Sequence, residues 1–322
     1  MQGFLAVGVR AGLVVGVLAI ILALFRPYIV RREWLTAYIF LLPYLFTFGL
    51  FSAISVAYAF YLSFTKYDLF SPPQWIGIQQ YVRLLTNETF IKHAIPNTLK
   101  YVIGVVPTQT VISLVVAFAL DQKLKFRRFF RTAFYVPSVT SSVVISLIFL
   151  WLFANTGIVN MILMSLFGVR VDWLTNPNTA LPTIMIVNIW STIGTMMLIF
   201  LAALQDIPTE LYEAAAIDGA NRLQIFRYVT IPVLRPVIFF VVTIGMIGCF
   251  QVFDQIYVMT AGGPLDSTTT MAYLIYKWAF QSTTPHMGRA SAVAFILALM
   301  ILAATILQRR IIEGAGAQVE GA

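Results

Sequence analysis

Residues Glu213–Pro232 read EAAAIDGANRLQIFRYVTIP, a polar and mildly basic interval held between two long apolar segments. Pro208 and Thr209 just ahead of it form a helix start, and Leu211, Ala214, Ala215 and Ile217 supply a face of mostly small residues. Asp218-Gly219 then supplies a turn, and a second helical piece begins at Ala220. The stretch therefore predicts a helix, a tight corner and a helix. Ala214 and Ala215 add almost no bulk, so another backbone can approach this face, and Gly219 is free to take the positive φ that other residues resist. From the residues alone two readings stay open: a knuckle on which a partner protein docks, or an amphipathic helix lying on a membrane surface.

The segments on either side decide the class of protein. The chain of 322 residues is 60% hydrophobic and only 11% charged, with a mean hydropathy of +0.86, against roughly 25% charged residues in a soluble domain. Crossing the hydrocarbon core, roughly 30 Å thick, takes about 20 apolar residues. Seven runs reach that length: approximately Phe4–Phe25, Leu35–Phe64, Thr98–Leu120, Phe134–Phe153, Leu181–Leu204, Val233–Val258 and Ala290–Leu307. Backbone groups in lipid must be paired within the protein, and these runs are too long for barrel strands, so the expected fold is all-α, a polytopic membrane helix bundle. The first run lacks a charged leader, carries Arg10 and is followed by Arg26, Arg31 and Arg32. It reads as an accessory anchor rather than a cleaved signal, with an interfacial helix from about Ala11 as the alternative.

Orientation follows from Lys and Arg. Basic clusters at Arg26–Arg32, Lys123–Arg131, Arg222–Arg235 and Arg309–Arg310 fall in alternate connections, while the remaining basic residues are scattered through longer loops. The clustered side is expected to be cytoplasmic, which puts the amino terminus outside, the carboxyl terminus inside and the Glu213 interval in the cytoplasm.

Several functions are excluded or disfavoured. The formal net charge of +8 comes from clusters beside apolar runs, so it speaks for membrane orientation rather than nucleic acid. Cys249 is the single cysteine, and His93 and His286 stand apart, so no metal site is expected. No GxxxxGK[ST] phosphate loop occurs, nor any Gly-Lys pair, so ATP would have to be used elsewhere. No paired carboxylates or Ser/His arrangement suggests catalysis, and no catalytic residues are expected. An ion-coupled secondary transporter is the alternative class; against it, Asp254 stands alone near a helix end with no buried carboxylate or histidine relay beside it.

Glu213, Ala214, Ala215, Gly219, Val229, Ile231 and Pro232 fall at the spacing of the EAA loop, with Val229 and Ile231 at positions usually filled by Ile and Leu. Asn97–Phe153 and the stretch MTAGGPLDSTTTMAYLIYKWAFQ, Met259–Gln281, extend the similarity over roughly Trp34–Arg310. The chain thus resembles the permease subunits of binding-protein-dependent ABC importers of the carbohydrate type. The resemblance implies a type I importer permease fold with six core helices plus one N-terminal accessory helix. Residues 1–33 would be the accessory helix and linker, 34–310 the permease domain with its EAA loop at 210–232, and 311–322 a cytoplasmic tail. It further implies that Glu213, Ala214, Ala215, Asp218, Gly219, Arg222 and Arg227 couple to a cytoplasmic ATPase. The implied partners are a second homologous permease subunit, two ATPase subunits, an external solute-binding protein and a sugar-like solute, in the cytoplasmic (inner) membrane of a prokaryote. No cofactor is expected on this chain; ATP and Mg would be used by the partner subunit.

Polar and small residues inside the runs mark candidate solute contacts, because unpaired polar groups are costly in lipid. Asn188, Thr192 and Thr195 recur at helical spacing, with Trp190 and Ser191 nearby, and Gly245, Gly248, Cys249 and Val252 form a small-residue stripe followed by Gln251 and Asp254. In the permeases that the chain resembles, the helices before and after the EAA loop line the pathway, which makes these residues the pathway candidates. Thr bonding its own helix and small residues easing helix packing would explain the same pattern without a solute.

Overall fold

A computed structural model describes residues 33–122 and 125–317; the first apolar run, Phe4–Phe25, lies outside them. The chain divides into two units, Met1–Ala59 and Phe60–Ala322. In the first, helix α1 (Glu33–Thr47) gives way to a π-helical turn, Phe48–Ala53. Pro43 withdraws one donor from the α1 ladder, and the Thr47 hydroxyl donates to the Pro43 carbonyl at 2.7 Å. Phe40, Phe46 and Phe51 are exposed, as side chains facing lipid would be. Helix α2 (Ile54–Ser63) carries the chain into the second unit.

Among the described residues five helical stretches are long and apolar enough to cross a bilayer: Ala37–Ser63, Thr89–Asp121, Ala180–Gln205, Arg222–Met259 and Met287–Arg310. These correspond to five of the runs expected from the sequence. The run Phe134–Phe153 does not form a straight span. It is split between α5 (Arg127–Val139) and α6 (Ser142–Leu152), bent by 98°. Pro137 in the last turn of α5 has no N–H to continue the ladder, and Ser141 is extended, with ψ 131°. Serines on either side of the corner hold the two pieces to different helices. Ser138 Oγ donates to the Ser191 carbonyl at 2.7 Å, whereas Ser142 Oγ donates to the Asp254 carboxylate. The basic residues Arg127, Arg128 and Arg131 accordingly stand on a helix and not in a loop.

Connections expected to be irregular hold short elements. After α2, β1 (Thr65–Lys66) pairs antiparallel with β2 (Gln74–Trp75), Thr65 opposite Trp75, and α3 (Gln79–Leu85) follows. A π-helical turn, Thr89–Ala94, opens the long helix α4 (Ile95–Asp121). Between α6 and α8 (Ala180–Gln205) lies α7 (Ile158–Phe167), too short to span. Buried Asn160 ties that region together: its amide oxygen accepts from Val171 N and Trp173 Nε1, both at 3.1 Å, and its Nδ2 donates to the Val171 carbonyl at 3.0 Å.

Then come α9 (Thr209–Ile217), α10 (Arg222–Ile225), a π-helical turn Phe226–Thr230, α11 (Ile231–Phe250) and α12 (Asp254–Met259). The described residues end with α13 (Met271–Tyr276), a π-helical turn Lys277–Gln281 and α14 (Met287–Ala317). Within the second unit α4 packs along α8, and α11 lies against both. Two apolar clusters result. One gathers Tyr101, Ile184, Phe250, Ile256 and Tyr273; the other, nearer the corner at Gly219, gathers Met197, Phe200, Leu204, Ile207 and Leu234. Lipid is as apolar as leucine, so helix association here rests on close packing and interhelical hydrogen bonds rather than on escape from water. Ile103, Val111 and Val115 of α4 are left on an exposed apolar face, as that argument requires.

The stretch Met259–Gln281 is folded back on itself. Thr268, Thr269 and Thr270 are fully buried, and Asn97 Nδ2 donates to the carbonyls of Asp266 and Thr269 at 3.0 and 3.1 Å. Thr98 Oγ1 accepts from Met271 N at 3.0 Å, and Lys277 Nζ lies 3.3 Å from Asp266 Oδ1. The start of α4 thus holds this loop to the bundle.

Candidate functional site

The corner at Gly219 is defined by hydrogen bonds on both sides. Gly219 N donates to the Ala216 carbonyl at 3.1 Å and Ala220 N to the Ala215 carbonyl at 3.0 Å, with Gly219 at φ +78°. This pair of bonds is the Schellman ending of α9, in which a left-handed residue lets the chain satisfy the last carbonyls of a helix. Two residues later Asn221 caps α10. Its Oδ1 accepts from Gln224 N at 2.9 Å, and its own N–H donates to Gln224 Oε1 at 2.7 Å, a reciprocal capping box. The second helical piece therefore begins at Arg222 and not at Ala220, because Ala220 is spent on ending α9. The Asn-x-x-Gln spacing of Asn221 and Gln224 is the sequence signature of this cap.

The second piece is not a separate helix. From Arg222 the chain stays helical through the π turn into α11 as far as Phe250. Contacts around its base are close: Tyr212 Oη and Thr230 Oγ1 lie 3.4 Å apart, Thr230 is fully buried, and the rings of Phe118 and Phe226 meet edge to face at 5.1 Å. The outward side is unspent. Glu213, Ala214, Asp218, Gly219, Arg222 and Arg227 are exposed, Ala215 is half-buried, and Ile217 is 86% exposed. Glu213 has no hydrogen bond or ion pair among the described residues. A rigid knuckle with an unpaired carboxylate beside an exposed isoleucine can bind another protein.

At the other end of α11 lies a cavity of about 370 Å³ between the two apolar clusters. It is lined by Asn188 and Thr192 of α8 and by Gly245, Gly248, Cys249, Gln251 and Val252 where α11 ends. Of the pathway candidates, seven are thus brought together. Ser191 and Thr195 are not among the lining residues. Ser191 is buried, with its hydroxyl on the Asn188 carbonyl at 2.9 Å, and Thr195 is exposed, its N–H donating to Ser138 Oγ at 3.1 Å. Both positions meet α5 through their backbones, the Ser191 carbonyl accepting from Ser138 Oγ and the Thr195 N–H donating to it.

Gln109 and Ser142 are among the lining residues that the sequence pattern did not single out. Gln109 of α4 is 1% exposed; its Oε1 accepts from Thr192 Oγ1 at 2.8 Å, while its Nε2 is buried without a partner. Ser142 and Asp254 close another side. Gly245 is where Gln109 is admitted, because a Cβ there would lie well inside van der Waals contact of Gln109 Nε2. The helix breaks at Gln251–Phe253, and this break exposes polar groups at membrane depth, tolerated only where they line a cavity. The side-chain amides of Asn188, Gln251 and Gln255 make no hydrogen bond among the described residues. Together with Gln109 Nε2 they offer uncharged donors and acceptors to a solute. No group of His, Cys, Asp and Glu side chains suited to hold a metal ion occurs among the described residues.

Comparison with known proteins identifies this architecture. A probable ABC transporter permease protein of Bacillus subtilis, YesP, is 35% identical over 279 residues, covering 84% of this chain and 88% of its own. The arabinooligosaccharides transport system permease protein AraP of Halalkalibacterium halodurans is 36% identical, over 84% of this chain and 85% of its own. The lactose transport system permease protein LacF of Rhizobium radiobacter is 36% identical, over 72% and 79%. In structure, the chain matches a component of a bacterial ABC transporter involved in the import of the acidic polysaccharide alginate, with a TM-score of 0.76 and 26% identity, over 88% of this chain and 96% of that one. Residues 109–314, which hold both the cavity and the knuckle, match the family described as binding-protein-dependent transport system inner membrane component. With that match over residues 109–314 and relatives at 35% and 36% identity across most of their length, the chain belongs to this family of ABC importer permeases.

Proposed function

We propose that the chain forms half of the route by which a sugar or oligosaccharide enters the cell, and that a cytoplasmic ATPase subunit drives it through the Glu213–Arg227 knuckle. The observation that carries this reading is the unbroken helical stretch Arg222–Phe250, which has the knuckle at one end and the cavity at the other. A partner that moved the knuckle as a rigid body would move Gly245, Gly248 and Cys249 with it, which is the lever that alternating access needs. Glu213, Ala214, Ala215, Asp218, Gly219, Arg222 and Arg227 are the residues assigned to that contact. ATP and Mg act on the partner.

Sugar as the solute is supported by relatives named for arabinooligosaccharides and lactose and by the lining of the cavity. Neutral amides and hydroxyls that both donate and accept suit a polyhydroxylated solute. In this reading Asn188, Thr192, Gly245, Gly248, Cys249, Gln251 and Val252 face it, with Gln109 added. A second permease completes the pathway, an external binding protein delivers the solute, and the distribution of the basic clusters supports a cytoplasmic knuckle. The solved relative in complex with an alginate pentasaccharide-bound periplasmic protein supports such a delivery step.

The reading is tested by reconstituting the chain with its partner permease, ATPase subunits and binding protein in vesicles and following labelled oligosaccharide uptake. Asn188→Ala and Gln251→Ala should slow uptake while receptor-stimulated ATP hydrolysis continues. Unchanged uptake in both variants would place the route elsewhere.

A further inference from the structure

The end of the bundle opposite the knuckle carries a second built cavity, of about 380 Å³, lined by Lys66, Tyr67, Asp68, Gln80, Arg83, Thr284, His286 and Arg289. It lies at the far end of the span that leaves the knuckle, where the chain turns into Met287–Arg310. Three cations face it against one carboxylate, and that carboxylate is already engaged: Asp68 Oδ1 accepts from the Ser71 hydroxyl at 2.7 Å and from Ser71 N at 2.9 Å. Lys66, Arg83 and Arg289 have no ion-pair partner among the described residues. His286 is held below its usual value by burial and by the Arg289 charge, so the imidazole contributes a neutral polar edge at neutral pH.

Two buried polar atoms of lining residues are unsatisfied. Arg289 Nε needs an acceptor; Gln80 Oε1, on a side chain 4% exposed, needs a donor. Gln80 cannot turn to relieve this, because its Nε2 is committed to the Thr65 carbonyl at 2.9 Å. The walls are equally fixed. Gly288 lets the start of α14 pass against the Thr65 carbonyl, where any Cβ would collide, and the Arg289 guanidinium lies over the Trp278 ring at 5.3 Å. The surroundings are those of a membrane–water boundary. Trp75 is exposed and stacks on Phe64 and Tyr61, and Phe70 and Ile78 of the same connection are exposed as well.

We infer that this cavity binds the phosphate of an anionic phospholipid whose head group also carries hydroxyls, in the leaflet opposite the Glu213 knuckle. The phosphate answers Arg83, Arg289 and Lys66, and a head-group hydroxyl donates to Gln80 Oε1. A zwitterionic head group would bring its ammonium into a net positive site. The exposed Phe70, Trp75 and Ile78, on the connection that supplies Lys66, Asp68 and Arg83, point to a lipid rather than to a free anion. The inference goes beyond sugar import and does not depend on it.

The test is native mass spectrometry of the full-length chain in detergent, with phosphatidylglycerol as probe, phosphatidylcholine as control, and inorganic phosphate and glycerol 3-phosphate as soluble competitors. Wild type should retain phosphatidylglycerol through delipidation and lose phosphatidylcholine. Arg83→Gln with Arg289→Gln should lower the retained phosphatidylglycerol at least fivefold, and Arg83→Lys with Arg289→Lys should keep most of it. Lys66→Glu, a change at an exposed side chain, should lower it too and keeps the test open if the double Gln variant fails to fold. Equal retention of both lipids by wild type, or no loss in either charge variant, would overturn the proposal. Displacement by either soluble competitor at millimolar concentration would overturn the lipid assignment.

Discussion

Across the interior of the bundle Thr192 Oγ1 donates to Gln109 Oε1 at 2.8 Å, joining α8 to α4 and leaving Gln109 Nε2 directed at Gly245. Helices on three sides of the cavity therefore meet at one polar point. That point lies between the two apolar clusters, where a shift of α11 would be felt by both of its neighbours.

A first prediction uses this contact. In Gly245→Val the new side chain must displace Gln109, an overpacking that costs about 1–3 kcal/mol and removes cavity volume. Uptake should fall by about tenfold or more, the size of a 1.4 kcal/mol penalty on the step, and Gln109→Ala in the same chain should restore part of it. Rescue separates a filled pathway from general misfolding, since the second change only removes atoms.

The position of Thr195 gives the complementary case. Thr195→Val keeps the volume of the side chain and its backbone bond to Ser138, and its side chain is exposed outside the cavity. Uptake by this variant should stay within about twofold of wild type on that geometry, an effect well under 1 kcal/mol. Strong inhibition in the vesicle assay would mean that the solute passes this face.

Asn97 supplies two bonds to the loop carbonyls of Asp266 and Thr269. Asn97→Ala leaves the buried Thr269 carbonyl without a donor, at a cost of about 1–3 kcal/mol, while the Asp266 carbonyl keeps Thr269 N at 3.1 Å. Thermal unfolding of the purified chain should occur at lower temperature, and limited proteolysis should cut first between Met259 and Gln281. An unchanged digestion pattern would show that the loop is held by other contacts.

Orientation can be read with single cysteines in a Cys249→Ser background, as Cys249 is the only native thiol. Lys125 and Leu265 are both exposed, Leu265 at 83%. Lys125→Cys should be labelled by an impermeant maleimide only from the cytoplasmic side, and Leu265→Cys only from outside. Labelling of both from one face would contradict the topology.

What could be read from the sequence follows from how locally each feature is encoded. The corner at Asp218-Gly219 was legible because a helix ending in a left-handed residue needs few neighbours, and the spans were legible because hydrocarbon thickness sets their length. The 98° bend hidden in Phe134–Phe153 was not, since apolarity is continuous across it; only Pro137 and the serines at 138, 141 and 142 marked the place, and their partners Ser191 and Asp254 are distant in sequence. Gln109 was likewise passed over within an apolar run, although Thr108-Gln109-Thr110 is a polar interruption at mid-span. Helical periodicity placed Thr195 on the same stripe as Thr192, but α5 crosses α8 at Ser138, which accepts from Thr195 N, and the Thr195 side chain is exposed outside the cavity. The cationic cavity joins residues from Lys66 to Arg289, and no local pattern announces it.

Gly219→Val probes the proposal that the doubly capped corner passes force from an ATPase to the cavity through one continuous helix. Space for the new side chain exists, since nothing lies within 4 Å of a Cβ there, so the substitution acts through φ +78° alone. A β-branched residue resists that conformation strongly, and the Schellman ending must open. The measurement is oligosaccharide uptake together with receptor-stimulated ATP hydrolysis in vesicles containing the assembled transporter. The account predicts a variant that inserts normally, with uptake abolished and hydrolysis no longer stimulated. Normal ATPase association with normal uptake would contradict it, and would reduce the knuckle to a surface loop.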